Sequence, residues 1–147
     1  MIILSNFKDR LNEFMILHNL TTPKLAEALG ISDTALNGLK RGAHYPSTEI
    51  FFALLSYFNC SADYLLGLCD DYPENKIFRS PTDSFSKHFR NVLKETGVSQ
   101  YRLTKEGKIS GNLLYKWLNG QSMPSPANLV KLSKFLQVSV DYLLDRE

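Results

Sequence analysis

The chain has 147 residues, an apolar fraction of 44% and a formal net charge of +2, a balance that suits a soluble folded protein and excludes disorder. Cys60 and Cys69, the two cysteines, lack a CxxC spacing; they make neither a disulfide framework nor a zinc site and fit a reducing cytoplasm, while the apolar run Met1–Leu4 is too short for a leader peptide or membrane span. Residues 1–71 hold five Lys/Arg against eight Asp/Glu and residues 72–147 twelve against seven, so the second half is the one suited to polyanions.

The first predicted helix carries a stripe of Phe7, Leu11, Phe14 and His18 at 3.6-residue spacing. Thr21 caps the next, TPKLAEAL, which Gly30 ends because glycine enters the left-handed region cheaply. Ser32 caps a third helix that runs to Gly42, Pro46-Ser47 opens a fourth, and Ser61 caps a last one with Asp63 in its first turn. Residues 69–84 follow, rich in Pro, Ser and acidic groups, a linker that extends to at most ~55–60 Å. Tyr72, Ile77 and Phe78 are unusual in a free tether, so part of it is expected to lie on a module surface. The same five helices are then predicted again. Phe85, Phe89, Val92 and Leu93 form the first stripe, Ser99 and Ser110 are caps, Gly120 ends the third helix, Pro124-Ser125 opens the fourth, and Ser139 caps SVDYLLD. No stretch alternates with period two, so the chain is expected to be all-α.

Shifting the sequence by 78 residues lays Phe7–Leu66 on Phe85–Leu144 with 14 of 60 positions identical, where average composition would give roughly four. The organisation is therefore a first module at 1–68, a linker at 69–84 and a second module at 85–147. Each module is near the lower size limit for independent folding.

Helix, tight turn at Gly30-Ile31, then helix is an arrangement that holds its second helix proud of the body. Ala26 allows close approach, while Ile31, Leu36 and Leu39 form the inner face, leaving Asp33, Thr34, Asn37, Gly38 and Arg41 outward. With Leu25-Ala26, Gly30-Ile31-Ser32, Leu36, Gly42, Pro46-Ser47 and Ser61-x-Asp63-Tyr64-Leu65-Leu66 in place, the chain resembles the lambda-repressor-like (Cro/repressor, XRE) helix-turn-helix family. The second copy resembles it through Leu103, Ile109-Ser110, Leu114, Trp117, Gly120, Pro124-Ser125 and Ser139-x-Asp141-Tyr142-Leu143-Leu144.

The resemblance implies two five-helix repressor-like modules and a bacterial or phage transcriptional regulator of double-stranded DNA. It implies base-edge contacts from Asp33, Thr34, Asn37 and Gly38, and from Gly111, Asn112, Tyr115 and Lys116. Phosphate contacts would come from Thr22, Arg41 and His44, and from Gln100, Arg102, Asn119 and Gln121. Two modules on one chain would act as an intramolecular pseudo-dimer, or the chain as a homodimer, on half-sites ~34–36 Å apart. No cofactor or metal is implied, and His18, His44 and His88 lack metal spacing.

The two copies depart from the pattern differently. The first keeps the scaffold but offers Gly38 and the acidic Asp33 on its outward helix; the second presents Gln100, Arg102, Lys105, Asn112, Tyr115 and Lys116 as a plausible DNA face across two helices. Its scaffold changes instead: Thr104 stands for Ala26, Gly107 for Leu29 and Lys108 for Gly30, and Gly107 is expected to stop its helix a residue early and re-aim the next. Trp117, Tyr64 and Tyr142 are assigned to packing; Lys105 and Lys108 suit either DNA or a solvated face. Ile50, Ala53 and Tyr57 form an apolar stripe on the fourth helix, and Leu118 stands as a lone outward apolar residue. The stripe is either a wider core or a surface that docks the other copy, the linker or a second chain. An interaction protein that docks another protein in place of DNA is the alternative function. No residue pattern supports an enzyme; Glu106–Ser110 resembles the tail of a phosphate loop, but position 102 is Arg where that loop needs Gly.

Overall fold

The computed structural model describes residues 2–74 and 76–147, with side chains from Asn6 onward, so the side chains of Met1–Leu4 lie outside the described residues. Among the described residues there are ten helices and no strand, in two compact units, Met1–Asn75 and Lys76–Glu147. No helix there is long and apolar enough to cross a membrane.

The first unit consists of α1 (Ile2–Leu17), α2 (Thr22–Leu29), α3 (Asp33–Lys40), α4 (Thr48–Phe58) and α5 (Ala62–Leu65). Phe7, Leu11, Phe14, Leu25, Leu36, Phe51, Leu54 and Leu65 are buried at its centre, each contributing about 1.5–3 kcal/mol by leaving water. His18, expected on the core stripe, is exposed and lies against the Phe58 ring; Met15 is buried instead. The second unit consists of α6 (Phe85–Thr96), α7 (Gln100–Lys105), α8 (Gly111–Leu118), α9 (Pro126–Leu136) and α10 (Val140–Leu143), around Phe89, Val92, Leu103, Leu114, Trp117, Leu129 and Leu143. The hydroxyls of Thr21, Ser32, Ser47 and Ser61 accept from backbone N–H groups as predicted, as do those of Ser99, Ser125 and Ser139. Ser110 is the exception: its side chain makes no capping bond to α8.

The backbone repeats more faithfully than the sequence. Left-handed residues occur in matching pairs 78 apart: Asn19 and Gly97, Gly30 and Lys108, Gly42 and Gly120, Asn59 and Gln137, Gly67 and Asp145. The first helix of each unit also grips the same carbonyls. Arg10 Nη1 donates to the Tyr64 carbonyl at 2.8 Å, and the ring Nε2 of His88, at the matching position, lies 2.7 Å from the Tyr142 carbonyl. Asn12 donates to the Lys40 carbonyl, and Arg90 to that of Leu118 through two nitrogens. The Tyr64 hydroxyl donates to Glu13, and burial followed by that bond raises it above the usual tyrosine value. Tyr142 finds its carboxylate one helical turn later, at Glu95.

Residues 69–84 divide between the units. Tyr72 stacks edge-on against Phe14 and Tyr64 of the first, and the Cys69 carbonyl accepts from Arg10. Phe78 is buried in the second unit beneath the Arg146 guanidinium. Ile77, by contrast, is exposed. Asp145 holds this stretch down, accepting from the backbone N–H groups of Thr82 and Asp83, the Thr82 hydroxyl and the Arg79 guanidinium. Burial alone would raise the Asp145 carboxyl, but the Thr82 and Asp83 bonds and the nearby His88 together hold it below its ordinary value. Asp141, in the first turn of α10, is buried and paired with Arg146 at 2.5 Å.

Candidate nucleic-acid interface

Two adjacent helices and the turn between them form the candidate surface of each unit. In the first, Gly30 (φ 71°) ends α2, Ile31 N–H returns to the Ala26 carbonyl, and Ala26 is buried. In the second, α7 ends at Lys105, two residues short of the position that matches Leu29. The turn is recovered because Lys108 takes the left-handed conformation of Gly30, with φ 58°. Gly107 makes this possible, since a Cβ there would stand 2.7 Å from the Leu103 carbonyl oxygen.

The two outward helices then present different chemistry. On α3, Asp33, Thr34 and Asn37 are exposed, and so is Arg41 just beyond. Gly38 is not: it is buried under the His44 imidazole, whose Nε2 would lie 3.0 Å from an added Cβ. Gly38, expected to face outward, is thus covered by a neighbouring ring. His44 itself is exposed, with Nδ1 3.0 Å from the Tyr45 carbonyl. Thr22 is half-buried and accepts from Lys40 Nζ at 2.8 Å, so the cation that could meet a phosphate is turned back onto its own unit.

On α8, Gly111, Asn112 and Tyr115 are exposed and Lys116 is half-exposed. Asn119 is exposed but its amide donates back to the Tyr115 carbonyl. Gln100 and Gln121 are exposed at the two edges. Arg102 is exposed yet engaged, 2.8 Å from Glu106 and 5.5 Å from the Phe135 ring centre. Lys105 and Lys108 project to solvent. Leu118, expected outward, is only 5% exposed and belongs to the core. It also closes one side of an open hollow of about 250 Å³ between α6 and the start of α7, with Arg90, Lys94, Ser99 and Gln100. Sequence patterns point to neither Arg90 nor Lys94; the signal present is an i, i+4 basic pair on the helix before the motif. The apolar stripe of Ile50, Ala53 and Tyr57 lies on α4, with Tyr57 44% exposed and the other two half-buried. Among the described residues no group of three His, Cys, Asp or Glu side chains is arranged to hold a metal ion.

The sequence model of the family described as "Helix-turn-helix" matches twice, at residues 11–65 and 89–143. YobD of Bacillus subtilis, an uncharacterized HTH-type transcriptional regulator, is 30% identical over 100 residues, which is 67% of this chain and 82% of that protein. An uncharacterized HTH-type transcriptional regulator of Methanocaldococcus jannaschii is 30% identical over 64 residues, 44% of this chain and 97% of its own length. No solved structure matches significantly.

Proposed function

The chain belongs to the lambda-repressor-like helix-turn-helix family in two tandem copies, and from that premise we propose that it is a sequence-selective, double-stranded-DNA-binding transcriptional regulator in which the second module supplies most of the grip. The observation that carries this is the outward face of α8, where Asn112, Tyr115 and Lys116 stand clear of the core beside the cations Lys105 and Lys108. Asn pairs with adenine through two hydrogen bonds and Lys donates to guanine, each good contact discriminating by about 1–3 kcal/mol. Gln100, Gln121 and Arg102 are assigned to phosphates, as are Asn119 and, in the first module, Thr22, Arg41 and His44. Asp33, Thr34 and Asn37 are assigned to a weaker base-reading face, with Asp33 suited to a cytosine amino group.

The test is selection of the purified chain against a random duplex pool at near-physiological salt. A motif dominated by one strong half, with log K falling by about 0.9 per phosphate contact as log salt rises, is the expected result. Retention without enrichment, or binding indifferent to salt, refutes it. A second function, docking of another protein by the first module, is favoured by the Lys40–Thr22 bond and the covered Gly38. It predicts that removing Arg41 and His44 together leaves duplex affinity unchanged.

A further inference from the structure

The units share a backbone, so matching positions with different side chains mark surfaces put to different use. In the first module an open hollow of about 330 Å³ is lined by Ile31, Ala35 and Leu39, from the turn and α3, and by Tyr45, Pro46 and Ile50, from the loop and the start of α4. In the second module the positions of Ala35 and Leu39 carry the larger Leu113 and Trp117. Side chains four apart on a helix are neighbours, and this pair closes the place. Ile109 there is only 4% exposed, whereas Ile31, its counterpart, is left half-buried. At the mouth the exchange runs the other way, with His44 and Tyr45 where the second module has Ser122 and Met123. The first module thus has smaller side chains on its floor and aromatic rings at its rim.

We propose that this hollow binds a small, neutral aromatic molecule of the size of indole, in the place that the second module fills with its own tryptophan and leucine. The volume sits at the lower end of the ~300–1,000 Å³ range of small-molecule sites, which suits one or two fused rings. The charge of the ligand follows from the lining, which holds no Asp, Glu, Lys or Arg. An ionised ligand would find no counter-charge there, so nucleotides, sugar phosphates and carboxylates are poor occupants. Flat rings are favoured by Tyr45 and His44, which offer edge or face contacts beyond simple burial. One polar group is placed to orient such a ring. The Ser47 hydroxyl accepts the Ile50 N–H at 3.2 Å and keeps its own hydrogen to donate. The hollow also adjoins the outward face, because His44 lines it and covers Gly38 of α3 as well. The site stands on the first module alone; an effect of its ligand on the aim of α3 rests on the DNA-binding function proposed above.

Titration of the full chain with indole, in the absence of DNA and followed by NMR of the isoleucine methyl groups, tests it. Indole is expected to bind saturably with a Kd below about 1 mM. It should shift the methyl signals of Ile31 and Ile50 and leave those of Ile109, in the second module, in place. Ala35→Leu installs the residue that the second module carries at the matching position, and is expected to weaken binding at least about tenfold by filling the floor. Ile50→Asn, again the second module's own residue, weakens it as well. An unchanged far-UV spectrum separates loss of the site from loss of the fold, and either variant alone decides. Failure to saturate by about 1 mM, shifts at Ile109 as large as those at Ile31, or an affinity indifferent to both substitutions overturns the proposal. Because no DNA is present, none of these outcomes bears on the duplex selection.

Discussion

Gly107→Ala probes the turn of the second module at its narrowest point. The added Cβ would stand 2.7 Å from the Leu103 carbonyl oxygen, against ~3.3–3.6 Å for an ordinary carbon–oxygen approach, so the backbone must open by about 0.6–0.9 Å. That carbonyl also accepts the Ile109 N–H at 3.1 Å, the bond that closes the turn just before α8. Strain of this kind costs about 1–3 kcal/mol and acts directly on the aim of α8. Gly30→Ala is the control: nothing lies within 4 Å of its Cβ, so the cost is only the left-handed conformation, about 1 kcal/mol. Urea melts of both variants, paired with duplex titrations, separate the two effects. Gly107→Ala is expected to lower the second module's stability by the larger amount and to reduce duplex affinity at least about tenfold, since a small misplacement of α8 spoils several contacts together. A Gly107→Ala protein as stable as Gly30→Ala, or one with unchanged affinity, refutes the reasoning.

Lys116→Ala and Asn112→Ala should each lower affinity for the selected duplex by about 1–3 kcal/mol and relax preference at one base position, measured by competition with single-base variants. Trp117→Ala removes a side chain only 1% exposed and should cost about 3–5 kcal/mol. Most of a small module's stability is then gone, and calorimetry should show the second module's transition disappearing while the first module's remains. Asp145→Asn should cost about 1–3 kcal/mol at neutral pH by weakening the hold on residues 79–83. Because the folded carboxyl is held below its ordinary value, its stabilisation is present above about pH 4 and is lost as pH falls through the folded value. The variant's acid limb should accordingly be flatter than wild type, and parallel limbs would contradict the assignment.

Legibility depended on whether a signal was local. The caps at Thr21, Ser32, Ser47 and Ser61, the glycine turn and the inner face of Leu36 and Leu39 are properties of a few neighbouring residues, and all stand where the pattern put them. His88 was illegible because its role lies in a carbonyl 54 residues away. Leu118 and Gly38 were misplaced for a related reason. Periodicity assigns a helix face, but whether that face meets solvent depends on what another element lays over it, here His44 on Gly38.

The sequence by itself determined the helical periods, the tandem repeat and the family, because periodicity and punctuation are written in residues close along the chain. Only the tertiary structure decided which backbone positions turn left-handed when Gly30 becomes Lys108 or Gly67 becomes Asp145. It alone decided which cations are free, since Lys40 folds onto Thr22 and Arg102 onto Glu106. Those choices are made by packing and hydrogen bonding between distant segments, which can outweigh a residue's preference of about 1 kcal/mol for its own conformation.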